Sequence, residues 1–446
     1  MRTIKLKKGL DIPLEGKADS KLCQPLTPSG EMFGISPEDY LGYLWKSAVK
    51  EGDIVAAGTP LLRAKENPDI CLVSPVDGVV TGIIRGERRR ILYVTVKAAE
   101  KQSPAKINIE DLNNTDNLRK ALQTTGFWAM MRQRPYDIVP EYDSNPRDIF
   151  VTGFDSNPLA PELLTDDLKK FLEAGLKALA TLTKGKVYLG LNPDSDIPES
   201  KAAETIIFDG PHPAGNVGVQ ICAVKPVNKG ETVWTLDATT VARIGKLMTT
   251  GECDYTCRVA ITGPAALNPS YVNTYFGAKI ESVVKNHLNP SIPTKIISGN
   301  ALTGTGVSEN DYLHFPYRQI TLIKSGEHAD EFMGWASLSP KKFSVKRTFP
   351  SFLKGLKGKY NFDDRILGGH RAMILSGELE KVFPFDILPE YLLKAIITKD
   401  IDRMEKLGIY EVAPEDFALP EFVDTSKGAL QQTVREGLDY LRNELG

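Results

Sequence analysis

The chain has 446 residues, 41% hydrophobic and 25% charged, with 55 Lys+Arg against 57 Asp+Glu and a formal net charge of −2. That length predicts about three domains at ~150 residues each, with a core that needs no covalent staples. The balanced charge excludes a general nucleic-acid binder, and no apolar run approaches the ~18–20 residues of a membrane helix. The longest runs, such as Val217 to Val224, are strand-sized. MRTIKLKKGLDIPL has no apolar stretch of the secretory kind. Five scattered cysteines fit reduced thiols in an intracellular protein better than a disulfide framework.

Residues 1 to about 100 read as strands and turns, clearest from Val49 to Lys97. Turn signals at Glu51-Gly52-Asp53, Ala57-Gly58, Asn67-Pro68-Asp69 and Asp77-Gly78 separate short β-branched runs. Asp116 to Met131 has the 3.6-residue spacing of an amphipathic helix, broken by RQRPYDIVPEYDSNP. From Arg147 the pattern becomes alternating. RDIFVTGFD is a strand, Leu163 to Leu182 a helix, Lys186 to Leu191 a strand, and ETIIFDGPHPAG a strand running into a loop. VWTLDATTVARIGKLMTTG is a strand and a helix ended by Gly251. This alternation predicts a mostly parallel sheet. RVAITG, TKIISGNALTG and QITLIK supply a second β-rich segment. The stretch 331–380 is weakly periodic, and the reading from Phe385 onward is helical.

EGD-x-V-x-x-G-x-P-L followed by SPVDGVV is the shape of a lipoyl- or biotinyl-carrier barrel-sandwich. A carrier needs its lysine on a tight hairpin just before S-P, and the nearby Lys65 lies too far upstream, so the domain reads as scaffold. The glycine fingerprints of dinucleotide and mononucleotide sites are absent. Gly304-Thr305-Gly306 lies between strands and reads as a turn. FDGPHPAGNVG places His212 among Gly and Pro directly after a strand, where α/β sheets bind ligands; a rigid docking loop with a structural histidine fits the same residues. Cys253 and Cys257, placed at a helix end, have no second pair, and the five histidines are far apart, so neither a cluster nor a metal site is expected. Lys341 to Lys359 holds seven basic and no acidic residues interleaved with Phe343, Phe349 and Phe352. Either the segment docks a partner or membrane face, through Lys341, Lys342, Lys346 and Arg347, or it is a solvated loop whose Phe residues are buried locally.

GLDIPLEGK, VKEGDIVAAGTPL with SPVDGVV, IFVTGFDSNPLAPE, FDGPHPAG, VARIGKLMTTGE, ISGNALTGTG and KFSVKRTFPSF span most of the chain in this order. Together they resemble the A-subunit family of the bacterial sodium-translocating NADH:quinone oxidoreductases, a family related to the flavin-binding subunit of respiratory complex I. The resemblance implies an α/β multi-domain chain. A carrier-like barrel-sandwich would span 1–100, a Rossmann-like α/β domain 101–256 and a β-grasp, ligand-binding-type (SLBB-like) domain 257–330. A basic connecting segment would span 331–384 and a C-terminal helical bundle 385–446.

The resemblance also implies a peripheral subunit on the cytoplasmic face of the bacterial inner membrane, reached through five partner subunits (B to F). That complex oxidises NADH, reduces ubiquinone to ubiquinol and exports Na⁺. Flavins, iron–sulfur centre and the NADH site belong to the partners, and this chain is expected to hold no tightly bound cofactor, no metal and no catalytic residue. Family members often carry two cysteines in the stretch corresponding to FALPEFVDTSKG, where this chain has Pro420 and Asp424. A quinone contact would need an aromatic wall and a donor to the carbonyls. Phe208 with His212, Tyr136 in RQRPYD and Phe33 in GEMFG are the candidates; a purely structural docking subunit without a ligand site is the alternative.

Overall fold

A computed structural model describes every residue except 26, 109–111, 113, 327–338, 341, 347, 352–357 and 446, with the backbone alone for Leu22. Two antiparallel sheets face each other in the N-terminal part. One orders Met32–Ile35, Ile91–Ala98, Gly78–Arg85 and Ile54–Val55; the other orders Trp45–Ser47, Pro60–Ala64 and Cys71–Val73. Their alternating inward residues, Leu62, Val80, Val94 and Val96 among them, are fully buried, at about 1.5–3 kcal/mol each. Gly52 and Gly58 hold φ of 89° and 86° in the turns that the sequence marks.

The first two strands leave this sandwich. Arg2–Lys5 pairs in parallel with Glu204–Asp209, and Asp19–Pro25 pairs in parallel with Ser270–Tyr275. Residues expected in the 1–100 unit thus cover the open edges of both following sheets, which would otherwise present unpaired backbone groups. Helix α1 (Thr115–Thr124) is capped by the Asn114 side chain. The helix expected to reach Met131 stops here, because Gly126 turns at φ 81° and sends Phe127 and Trp128 into the core.

The central sheet orders Arg2–Lys5, Glu204–Asp209, Val187–Leu191, Asp148–Thr152, Val233–Asp237 and Arg132–Arg134, parallel except for the last strand. Its helices are α2 (Asp166–Thr181), α3 (Val217–Val224) and α4 (Ala238–Thr250). α2 and α4 touch backbone to backbone: a Cβ on Gly175 would lie 2.0 Å from the Val241 carbonyl oxygen, and one on Gly245 1.9 Å from that of Phe171. α4 ends as the sequence predicts, with Gly251 at φ 72° and its N–H on the Leu247 carbonyl. The strand-sized run Val217–Val224 is instead a helix. It is apolar all round because Ile221 packs on the sheet side and Val219 packs into the C-terminal core.

A six-stranded mixed sheet follows, ordered Asp19–Pro25, Ser270–Tyr275, Thr256–Thr262, Gln319–Lys324, Thr294–Ser298 and Thr305–Val307, with α5 (Ile280–Val284). Two expectations change here. Cys253 and Cys257 lie in strands rather than at a helix end, because Gly251 closes α4 first. Thr305 and Gly306 pair as an edge strand rather than forming a turn. The helices α6 (Leu379–Val382), α7 (Pro389–Ile397), α8 (Ile401–Lys406), α9 (Ala418–Val423) and α10 (Leu430–Leu445) pack around their own core of Phe383, Phe385, Leu392, Phe417 and Leu438. No helix among the described residues is long and apolar enough to cross a membrane.

Candidate functional site

In the central sheet the strand order reverses between Asp148–Thr152 and Val233–Asp237, and the crevice beyond their C-terminal ends is where such sheets bind ligands. Here protein fills it. Arg318, buried on the neighbouring mixed sheet, places Nη2 2.9 Å from both Asp237 carboxylate oxygens and Nη1 3.0 Å from Thr239 Oγ1. The Asp237 carboxylate also accepts from Thr240 N at the start of α4. Burial alone would raise its pKa, but the Arg318 charge and these hydrogen bonds win and lower it. Gln319 Nε2 donates to the Pro158 carbonyl, tying down the loop after Asp148–Thr152.

The FDGPHPAG loop closes the next position along the same edge. His212 is buried, and its Nδ1 lies 3.0 Å from Ser156 Oγ. Ser156 Oγ also accepts from Gly215 N at 2.8 Å, so the serine ties the His212 ring to the backbone of its own loop. Nε2 is buried without a hydrogen-bond partner. Burial pushes the His212 pKa down to about 4, so the ring is neutral near pH 7 and Nε2 is its unused nitrogen. Phe208 packs in a small core with Phe150, Tyr188 and Ile221.

A second feature has no motif in the sequence. A cavity of about 670 Å³ opens where the N-terminal extension, residues 343–346, 348–349 and 362–371, and the C-terminal helices meet. Ile12, Leu14 and Pro158 form part of its wall, and Phe343, Phe349, Phe362 and Phe422 supply aromatic faces. Phe343, Phe362 and Phe422 also pack on one another at centroid distances of 5.7, 6.2 and 6.4 Å. Arg371 and Lys427 stand among the lining residues as donors. The His212 loop is hydrogen-bonded to the chain segments that form part of this wall. Asp11, whose carboxylate accepts from His212 N at 2.8 Å, precedes Ile12, and Ser156 is two residues from Pro158.

The C-terminal helices are locked to the central sheet by a buried ion cluster. Arg134 Nη1 lies 2.7 Å from Asp416 Oδ2 and Nη2 lies 2.9 Å from Glu415 Oε1. Arg134 and Asp416 are fully buried, whereas the Glu415 side chain is 41% exposed. Burial pushes the Asp416 carboxyl pKa up against the pull of Arg134. Nothing in the sequence pairs residues this far apart, although Phe343 and Phe349 had a visible signal in their spacing among lysines.

The four aromatic and histidine candidates do not converge. Phe208 and His212 share one strand and loop. Phe33 is buried in the main core, edge-on to Tyr275 at 6.1 Å, and Tyr136 lies half-buried at the rim of the C-terminal core. Of the candidate docking residues, Lys341 and Arg347 lie outside the described residues. Lys342 is buried with Nζ 5.4 Å from the Phe349 ring centroid, and Lys346 Nζ is 3.9 Å from Glu378 Oε2. These two lysines therefore face protein rather than a solvated basic surface. Among the described residues no three His, Cys, Asp or Glu side chains are grouped to hold a metal ion.

These features define a multi-domain α/β protein, with its sheet crevice plugged by an ion pair and an aromatic cavity beside its C-terminal helices. Comparison with known proteins makes the assignment narrower. The NqrA N-terminal barrel-sandwich hybrid domain matches residues 4–99, the NqrA second alpha/beta domain residues 113–253, and the NQRA C-terminal domain residues 258–309. The A subunit of the Na(+)-translocating NADH-quinone reductase of Actinobacillus succinogenes is 36% identical over 451 residues, covering 99% of this chain and 100% of the relative. Its counterpart in Histophilus somni is 35% identical with the same coverage. That of Rhodopirellula baltica is 32% identical, covering 99% of this chain and 98% of the relative. The chain belongs to the family of Na⁺-translocating NADH-quinone reductase A subunits. An NAD⁺-reducing [NiFe]-hydrogenase in the H₂-reduced state overlaps 74% of this chain and 62% of its own at a TM-score of 0.36 and 12% identity.

Proposed function

We propose that this chain is the peripheral member of a six-protein NADH:ubiquinone reductase that exports Na⁺, and that it works at the quinone end without a redox centre of its own. In this reading it sits on the cytoplasmic face of the inner membrane. NADH oxidation, flavins and the iron–sulfur centre lie on the five partners. The expected division stands behind this reading: sandwich to residue 100, Rossmann-like domain to 256, β-grasp domain to 330, basic connector to 384 and helical bundle beyond, in the manner of the complex I flavin subunit.

The aromatic cavity carries the quinone proposal. Its volume suits a substituted ring, its walls are apolar, and Arg371 and Lys427 can donate to ring carbonyls. The unused His212 Nε2 is a further hydrogen-bonding group if Ile12 and Pro158 part, with Phe208 holding the loop's strand in place. Phe33 and Tyr136 close other cores and are left out of the site. The plugged crevice supports the same division of labour, since the usual nucleotide position is occupied by Arg318 and Asp237.

Titration of the purified chain with short-chain ubiquinone tests this. The wild type is expected to bind, and Phe422→Ala to bind about tenfold more weakly, roughly 1.4 kcal/mol, the scale of one aromatic contact. Absence of binding by the wild type would favour the alternative, a docking protein with no ligand site.

A further inference from the structure

Large exposed apolar side chains are scattered over most of the surface, but five fall in one short stretch. Ile374, Leu375, Leu388, Tyr391 and Ile397 are between 48% and 61% exposed. Leu388, Tyr391, Lys394 and Ile397 recur every three residues along the outer side of α7. The preceding turn is fastened beside them. Ser376 N, Ser376 Oγ and Gly377 N all donate to Glu390 Oε1, at 2.9, 2.8 and 3.0 Å, and Glu390 is buried in the first turn of α7. Ile374 and Leu375 therefore border the same spot as Leu388 and Tyr391.

The apolar surface also runs toward the cavity. Val345 and Ile366 are exposed and line it, and the wall continues through Gly368 to Arg371, three residues before Ile374. Exposed apolar side chains gathered along one short stretch in this way mark a contact surface.

We propose that this face, from the cavity mouth to α7, docks an apolar surface of another member of the complex. The inference rests on the reading of the chain as part of that complex. Charge decides between occupants. Residues 366–399 carry four basic side chains and, apart from the buried Glu390, three acidic ones, so the face has no marked basic excess. An anionic lipid surface selects a basic excess, whereas stable subunit interfaces are apolar with aromatic anchors such as Tyr391. A partner seated here would shield the cavity mouth from water, giving a lipid-soluble quinone an apolar route in.

The test is recovery of partner subunits on tagged chain from gently solubilised membranes. Four proteins are compared: wild type, Leu388→Asp/Tyr391→Asp, Ile374→Ser/Leu375→Ser, and Leu267→Asp at an isolated exposed leucine elsewhere. Wild type and Leu267→Asp are expected to recover the partners equally. Both patch variants are expected to recover at least tenfold less while keeping the wild-type thermal midpoint. Equal recovery by both patch variants overturns the proposal, as does partner recovery that persists while vesicle binding is lost, which would give the face to the bilayer. No partners on the wild type would bring down the reading of the chain as part of a complex.

Discussion

The two ends of this molecule treat a ligand-sized space in opposite ways. At the switch point of the central sheet, the position that α/β folds commonly give to a nucleotide, Arg318 reaches across from the next domain and pairs with Asp237. Beside the C-terminal helices, four phenylalanines from distant segments leave about 670 Å³ unfilled. The first space is closed by charge and the second held open by aromatic walls. The difference teaches that an architecture can outlast its usual site: the sheet keeps its crevice geometry while the ligand-sized space lies among other segments.

The comparison can be strained most strongly at the lock between the two ends. Asp416→Ala strips the buried Arg134 guanidinium of its one buried carboxylate and leaves it only the half-exposed Glu415, at a cost approaching about 3–5 kcal/mol. The thermal midpoint should fall well below that of wild type, and an unchanged midpoint would show that the C-terminal helices are not held through this cluster. Next in size is the plug. Asp237→Ala removes charge-assisted hydrogen bonds of about 1.5–3 kcal/mol. Asp237→Ala combined with Arg318→Leu should recover part of that loss, because an apolar pair avoids the unpaired charge. If the double variant is no more stable than the single, Arg318 does more than fill space.

Two histidines give smaller effects of opposite sign. The His212 pKa is depressed by burial from 6.5 to about 4, so the neutral ring is the stabilising form. Its contribution is complete above pH 6.5 and is lost as pH falls through about 4. His212→Gln should flatten the stability curve over that acid window. Burial opposes the charge on His314, but the hydrogen bond and charge of Asp39, 2.7 Å away, prevail and raise its pKa above 6.5. Its contribution is complete below 6.5 and fades as pH rises through the raised value. Asp39→Asn should remove that slope near neutrality, and retention of the slope would assign it to another group.

Much of the fold was legible because the signals are local. Gly251 stops α4, Gly52 and Gly58 mark turns, and the β-branched runs of the sandwich alternate as they should. Val217–Val224 can be sized but not assigned, because a short apolar run has no periodicity to separate strand from helix. The departures of Arg2–Lys5 and Asp19–Pro25 into other sheets are decided by edges elsewhere in the chain, which local pattern cannot express. The site divides the same way. The His212 loop was readable from its Gly and Pro content, but the cavity joins Ile12, Pro158, Phe343, Phe362 and Phe422, and only the need to bury the phenylalanines hinted at it. Lys342 and Lys346 read as an outward basic arm, yet Phe349 and Glu378 draw them inward.

The most direct test of the central claim is to cross-link a photoreactive short-chain ubiquinone to the intact complex in native membranes and map the labelled peptides on this chain. The account predicts label on the cavity walls, within residues 358–371 or 418–431, and its loss with excess unmodified quinone. Label confined to the segments around Phe33 or Tyr136, or none on this chain, would contradict it.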